Sequence, residues 1–118
     1  MKTITLSFIV ALLLGTKLES CEKAGASVVP ACIQETIRQI QSEPVTNPAS
    51  SVWQYTYKGK TVYFIPSICC DIPSRLIDTE CKLICNPDGG FTGKGDGKCA
   101  DFFAERKDEK LIWSDNRK

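Results

Sequence analysis

The sequence predicts an α+β domain: one N-terminal helix packed on a small antiparallel sheet of two hairpins plus a C-terminal strand, stapled by disulfides. Three observations predict it. Apolar residues recur at helical spacing from Pro30 to Ser42, and the period changes to two from Val52 to Ile65. Six of the seven cysteines follow residue 30 in a chain of only 118 residues, the composition of a small domain braced by cross-links in an oxidising compartment.

The first residues are set aside from the fold. Lys2 followed by the apolar run from Ile4 to Leu14 has the layout of an export signal, and it is too short to span a membrane, which takes roughly 20 apolar residues. Leu18-Glu-Ser-Cys21 fits a lipoprotein-type signal over residues 1–20, in which Cys21 becomes the lipid-bearing first residue. The rival is ordinary secretory cleavage after Ala24-Gly-Ala26. The lipoprotein type is favoured, because the Ala24-Gly-Ala26 site lies far beyond the apolar run. Residues 21–29 then form a tether and residues 30–118 the folded domain.

Pro30 suits the first turn of a helix, where its missing N–H costs nothing, and Ile33, Ile37 and Ile40 recur along one face. Cys32 sits at the margin of that face, placed to staple the helix to its support. Pro44 ends the helix, and residues 44–51 connect to the sheet. Trp53, Tyr55 and Tyr57 alternate up to a Lys58-Gly59 turn, and Lys60, Val62 and Phe64 return. With a two-residue loop, Tyr57 faces Lys60, Tyr55 faces Val62 and Trp53 faces Phe64. The helix is expected to cover this aromatic face. Arg75 to Ile77 and Lys82 to Cys85 form a shorter hairpin, and Asp101 to Arg106 one helical turn. Lys107 to Glu109 is a polar connector, Lys110 to Trp113 the last strand, and Ser114 to Lys118 a frayed tail.

The six cysteines Cys32, Cys69, Cys70, Cys81, Cys85 and Cys99 suit three disulfides among fifteen possible pairings. Adjacent cysteines in extended chain point to opposite sides, so Cys69 and Cys70 are expected to reach different partners. A bridge between Cys85 and Cys99 would close a loop holding five of the eight glycines.

Several function classes fall away. The chain has no histidine, so no Ser-His-Asp site, Cys-His site or His-ligated zinc can form. No C-x-x-C pair suggests a zinc ribbon or a thioredoxin-like centre. From Cys21 onward thirteen basic residues balance thirteen acidic ones, leaving no electrostatic footprint for nucleic acid. In the loop, Asp88, Asp96 and Asp101 are hard oxygen donors of the kind calcium takes, although the spacing is not that of an EF-hand. Gly93-x-Gly95-x-Gly97 with Lys94 and Lys98 matches neither a phosphate loop nor a dinucleotide fingerprint.

Four stretches carry a resemblance: Val52-Trp-Gln-Tyr-Thr-Tyr-Lys-Gly-Lys-Thr-Val-Tyr63, Cys69-Cys-Asp71, Cys85-x-Pro-Asp-Gly-Gly90 with Gly93-x-Gly-Asp-Gly-x-Cys99, and Asp108-Glu-Lys-Leu-Ile-Trp113. Together they resemble a family of small, uncharacterised bacterial exported proteins, common in Bacteroidetes and classed as a domain of unknown function. The resemblance runs from Cys32 to Arg117. It implies a compact exported domain, often lipoprotein-like, and no catalytic residue.

The expected function is therefore a noncatalytic cell-envelope binding module that presents its disulfide-closed, Gly-rich loop, with Asp88, Phe91, Lys94, Asp96 and Lys98 as contact residues. No cofactor is required, calcium on Asp88, Asp96 and Asp101 being the one to weigh. The partner would be a protein or other envelope ligand, with the membrane reached through the lipid on Cys21 and no part for nucleic acid. A soluble periplasmic or secreted location is the alternative to the lipid anchor. A secreted inhibitor of an extracellular enzyme is the alternative function, and an enzyme using the loop aspartates stands third.

Overall fold

The computed structural model describes residues 28–69 and 71–118. The expected signal segment, the lipidation candidate Cys21 and Cys70 lie outside the described residues. Helix α1 (Ala31–Ser42) starts directly after Pro30, whose carbonyl accepts the N–H groups of Ile33 and Gln34 at 3.0 and 3.1 Å. Strands β1 (Ser51–Tyr57) and β2 (Lys60–Ile65) form the first hairpin. Lys58 and Gly59, with φ of 49° and 76°, supply the paired left-handed residues that a two-residue turn between right-twisted strands requires. The register is the expected one, with Trp53 opposite Phe64, Tyr55 opposite Val62 and Tyr57 opposite Lys60.

Strands β3 (Arg75–Asp78) and β4 (Leu83–Cys85) make the second hairpin. Its turn is closed by the Asp78 carboxylate, which accepts the N–H groups of Glu80 and Lys82, each at 2.9 Å. The short helix α2 (Phe102–Glu105) and strand β5 (Lys107–Ser114) complete the chain. The sheet order is β4-β3-β2-β1-β5, antiparallel throughout.

β5 begins three residues before the expected strand. Lys107, Asp108 and Glu109 are polar, but an edge strand forms by backbone pairing while its side chains reach water, and charge on an edge is usual. The left-handed Asp108 (φ 54°) accompanies a register shift between Gln54 and Thr56 that lets the polar run pair with β1.

The sheet is covered on both faces, and this corrects the expected placement of α1. Ile33 packs against Val52, Tyr63, Ile65 and Ile77, with Ile37, Ile112 and Trp113 around them. The helix therefore lies on the face opposite Tyr55, Tyr57, Val62 and Phe64. That aromatic face is closed instead by Phe102 of α2 and by Cys85 and Cys99. Phe102 is fully buried, with ring centroids 5.3–5.6 Å from Tyr55, Tyr57 and Phe64. The chain leaves β4 and returns to β5 on the aromatic side, so the loop and α2 occupy the place the helix was expected to take.

The expected fraying of residues 114–118 is also corrected. Asp115 is buried, its N–H donates to the Ser50 carbonyl at 2.8 Å, and its carboxylate accepts the Arg117 guanidinium at 2.9 and 2.7 Å. The same guanidinium donates to the carbonyls of Ile40, Gln41 and Glu43 at 3.1, 2.8 and 3.1 Å. Arg117 thus caps the C-terminal end of α1, where unpaired carbonyls and the helix dipole favour a cation.

Two disulfides are described. Cys32–Cys81 staples α1 to the turn between β3 and β4, and Cys85–Cys99 closes the Gly-rich loop. Cys69 is disulfide-bonded as well.

Candidate functional site

The loop closed by Cys85 and Cys99 is a folded object in its own right. All five of its glycines have positive φ. Gly95 is the tightest: a Cβ there would lie 1.9 Å from the Asn86 carbonyl oxygen. Only glycine lets the two backbones approach so closely. Around it the Gly95 N–H donates to the Gly89 carbonyl at 3.0 Å and the Asp96 N–H to the Asn86 carbonyl at 3.0 Å.

Ser74 seats the loop on the sheet. It is fully buried, and its hydroxyl accepts the Asp88 N–H at 3.0 Å while lying 3.1 Å from the Asp88 carbonyl. The Ser74 N–H donates to that carbonyl at 3.0 Å, and the Asn86 side-chain amide donates to the Ser74 carbonyl at 2.7 Å. Nothing in the sequence marked Ser74, because its partners lie twelve and fourteen residues on.

The predicted contact residues divide into two groups. Phe91 is 94% exposed and stands in a tight turn in which the Gly93 N–H donates to the Gly90 carbonyl at 3.2 Å. Lys94 and Lys98 are exposed on the same loop, and among the described residues neither forms an ion pair. Asp96 serves the loop itself. Its carboxylate accepts the N–H groups of Lys98 and Asn86, each at 3.0 Å, and these bonds, that from Lys98 first, hold its pKa below the usual carboxylate value. Asp88 has one carboxylate oxygen buried without a hydrogen-bond partner.

Of the three acids expected as calcium donors, Asp96 is engaged within the loop and Asp101 elsewhere, while Asp88 keeps its unpartnered oxygen. Asp101 lies at the hairpin end, accepting the Tyr57 hydroxyl at 2.5 Å and facing Lys58 Nζ at 3.5 Å. The Tyr57 hydrogen bond, then the Lys58 charge, lowers the Asp101 pKa, whereas burial followed by the same hydrogen bond raises that of Tyr57. Among the described residues no three acidic or cysteine side chains gather as metal ligands.

A second polar knot, unforeseen in the sequence, flanks the aromatic face. The Tyr55 hydroxyl donates to Glu109 at 2.7 Å and accepts from Arg106 at 3.2 Å. Arg106 also stacks over the rings of Tyr55 and Phe103 at 4.8 and 5.0 Å. Burial, with the Glu109 hydrogen bond next, pushes the Tyr55 pKa to about 12. Strand alternation placed Tyr55 and Tyr57 on one face, but it carried no sign of their acidic partners.

Residues 38–115 match a family model described as "Domain of unknown function (DUF6970)". The chain belongs to this family. The DUF6970 match begins inside α1 and ends at Asp115, so Cys32 and Arg117 stand outside it. It takes in the whole sheet, α2 and the closed loop. No curated protein and no solved structure matches the chain.

The disulfides indicate an oxidising environment for the folded domain. Among the described residues no helix is long and apolar enough to cross a membrane.

Proposed function

We propose that this DUF6970 chain is a noncatalytic binding module of the bacterial cell envelope, held at a membrane through lipid on Cys21, whose contact surface is the closed Gly-rich loop. One observation carries the reading: Phe91 is 94% exposed at the tip of a loop whose backbone is fixed by hydrogen bonds and a disulfide. Ordering a glycine-rich segment is entropically expensive, and the cross-link and the Ser74 seat offset that cost before any partner arrives. Phe91 is then a preorganised apolar anchor on a loop that also exposes Lys94 and Lys98, and Asp96 shapes the loop from within.

The alternative, an inhibitor of an extracellular enzyme, draws on the same closed loop. A turn at Phe91, where the Gly93 N–H returns to the Gly90 carbonyl, favours a knob in a pocket over an extended, substrate-like strand in a cleft.

Affinity capture from envelope extracts with the oxidised protein tests the binding role, with Phe91→Ser as the comparison. A species retained by the wild type and lost with Phe91→Ser is expected; equal retention by both removes the loop from the contact. Fatty-acid labelling that vanishes in Cys21→Ala is expected for the anchor. An unlabelled mature protein beginning at Ser27 overturns it.

A further inference from the structure

A cleft of ≈ 190 Å³ opens between the C-terminal half of α1 and the adjoining ends of β2 and β3, with Pro73 in its lining bridged to Gly89 at the base of the loop. Ligand pockets for drug-sized molecules run to about 300 Å³ and above, so this one suits a small metabolite. Ile40, Ile65, Pro66 and Ile72 give it an apolar lining. Glu43 stands on the helix wall and Arg75 on the sheet wall.

These two residues are opposite in charge, both line the cavity, and form no ion pair with each other or with any described residue. Both are fixed at the backbone. The Glu43 N–H donates to Ile40 and its carbonyl accepts from Arg117, each at 3.1 Å, while Arg75 is held in register with Ile65. Two unspent opposite charges on separate rigid walls, with apolar surface between them, are complementary to a zwitterion carrying an apolar side chain.

We propose that this cleft binds a free amino acid with an apolar side chain, its carboxylate on Arg75, its ammonium on Glu43 and its side chain against Ile40, Ile65 and Pro66. A guanidinium takes a carboxylate through two parallel hydrogen bonds, which fixes orientation as well as charge. The pair also selects by exclusion. A simple fatty acid leaves Glu43 facing apolar chain and a simple amine leaves Arg75 unmatched, so each lacks half of the recognition. Phe91 itself is not among the residues that line the site.

The test is an amide-shift titration of the oxidised, isotope-labelled protein with leucine, leucine methyl ester, N-acetylleucine and glycine. Leucine should give saturable shifts at Thr36, Gln39, Ser50 and Arg75, with a Kd of about 1 mM or tighter. The ester lacks the carboxylate and the acetylated form lacks the ammonium, so each should bind at least about tenfold more weakly, as should glycine. Arg75→Gln and Glu43→Gln, both at exposed positions, should each cost about tenfold or more with the remaining spectrum unchanged. No saturable shift with leucine at about 20 mM, or an equal response to the ester and the acetylated form, overturns the proposal.

Discussion

Gly95 and Gly97 provide a matched pair that separates backbone strain from close approach. Both are left-handed, with φ of 66° and 78°, so alanine at either meets the same conformational penalty, about 1–2 kcal/mol. At Gly97 nothing lies within 4 Å of the added Cβ. At Gly95 the Cβ would lie 1.9 Å from the Asn86 oxygen, against an ordinary carbon–oxygen contact of about 3.3 Å. One backbone segment must therefore move by more than 1 Å. That displacement breaks the Asp96 to Asn86 bond and disturbs the Gly95 to Gly89 bond, at about 1 kcal/mol each, with more where a group is left unpaired. Gly95→Ala should thus cost about 2–4 kcal/mol beyond Gly97→Ala, a large part of the about 5–15 kcal/mol that stabilises a domain. Urea unfolding with the disulfides intact measures the difference, since the cross-link constrains the unfolded state equally in both variants. Costs within about 0.5 kcal/mol of each other would refute the argument that Gly95 is required by contact with Asn86.

Three further outcomes are expected. Phe102→Ala removes a fully buried ring from among Tyr55, Tyr57 and Phe64 and should cost about 3–5 kcal/mol in the same assay; a loss under about 1 kcal/mol would mean that α2 is not the lid of the aromatic face. Stability should change little between about pH 5 and 9, because the chain has no histidine. Asp96, Asp101 and Asp115 have folded pKa values below their unfolded ones, so their contribution is present above the unfolded value and lost as pH falls through the folded one. Tyr55, Tyr57 and Tyr63 are raised, so theirs is intact below the ordinary value of 10.0 and lost as pH climbs, for Tyr55 towards about 12. Tyrosine absorbance and circular dichroism should therefore change together in base, and tyrosines that ionise normally in a folded protein would contradict this. Arg117→Ala should raise amide exchange at the C-terminal end of α1 and leave β1 and β2 protected; unchanged exchange there would deny Arg117 its capping role.

The parts of the fold that the sequence makes legible are those set by short-range geometry. A two-residue turn leaves the first hairpin one register, and Pro30 with Ile33 and Ile37 defines the helix within a turn. Which sheet face the helix takes is a different kind of question. Val52, Tyr63 and Ile65 on one side and Tyr55, Val62 and Phe64 on the other are both apolar sets, so each needs a cover and alternation cannot assign it. The assignment comes from Phe102 and from Cys85 with Cys99, which reach the aromatic face only through the path of the later chain. Arg117 is invisible for a related reason: the carbonyls it caps lie 74–77 residues earlier, and a tail arginine carries no local mark of a helix end.

The candidate site shows the same division at the scale of single side chains. Composition reveals that Asp96 and Asp101 are oxygen donors, but not that backbone N–H groups and the Tyr57 hydroxyl already take them. With Asp96 and Asp101 committed to structure and Asp88 part-buried, the predicted contact residues left exposed and outside any described ion pair are Phe91, Lys94 and Lys98. Lysine on a surface needs no further cause, because water solvates it. Phe91 is different: the Gly90 to Gly93 turn is closed by a backbone hydrogen bond that any side chain at position 91 would permit, and the ring itself gains nothing from the fold at 94% exposure. A polar residue would serve the turn as well and the solubility better. Among the described residues Phe91 is the most exposed of the large apolar side chains, and that is the physical ground for proposing it as a partner's contact.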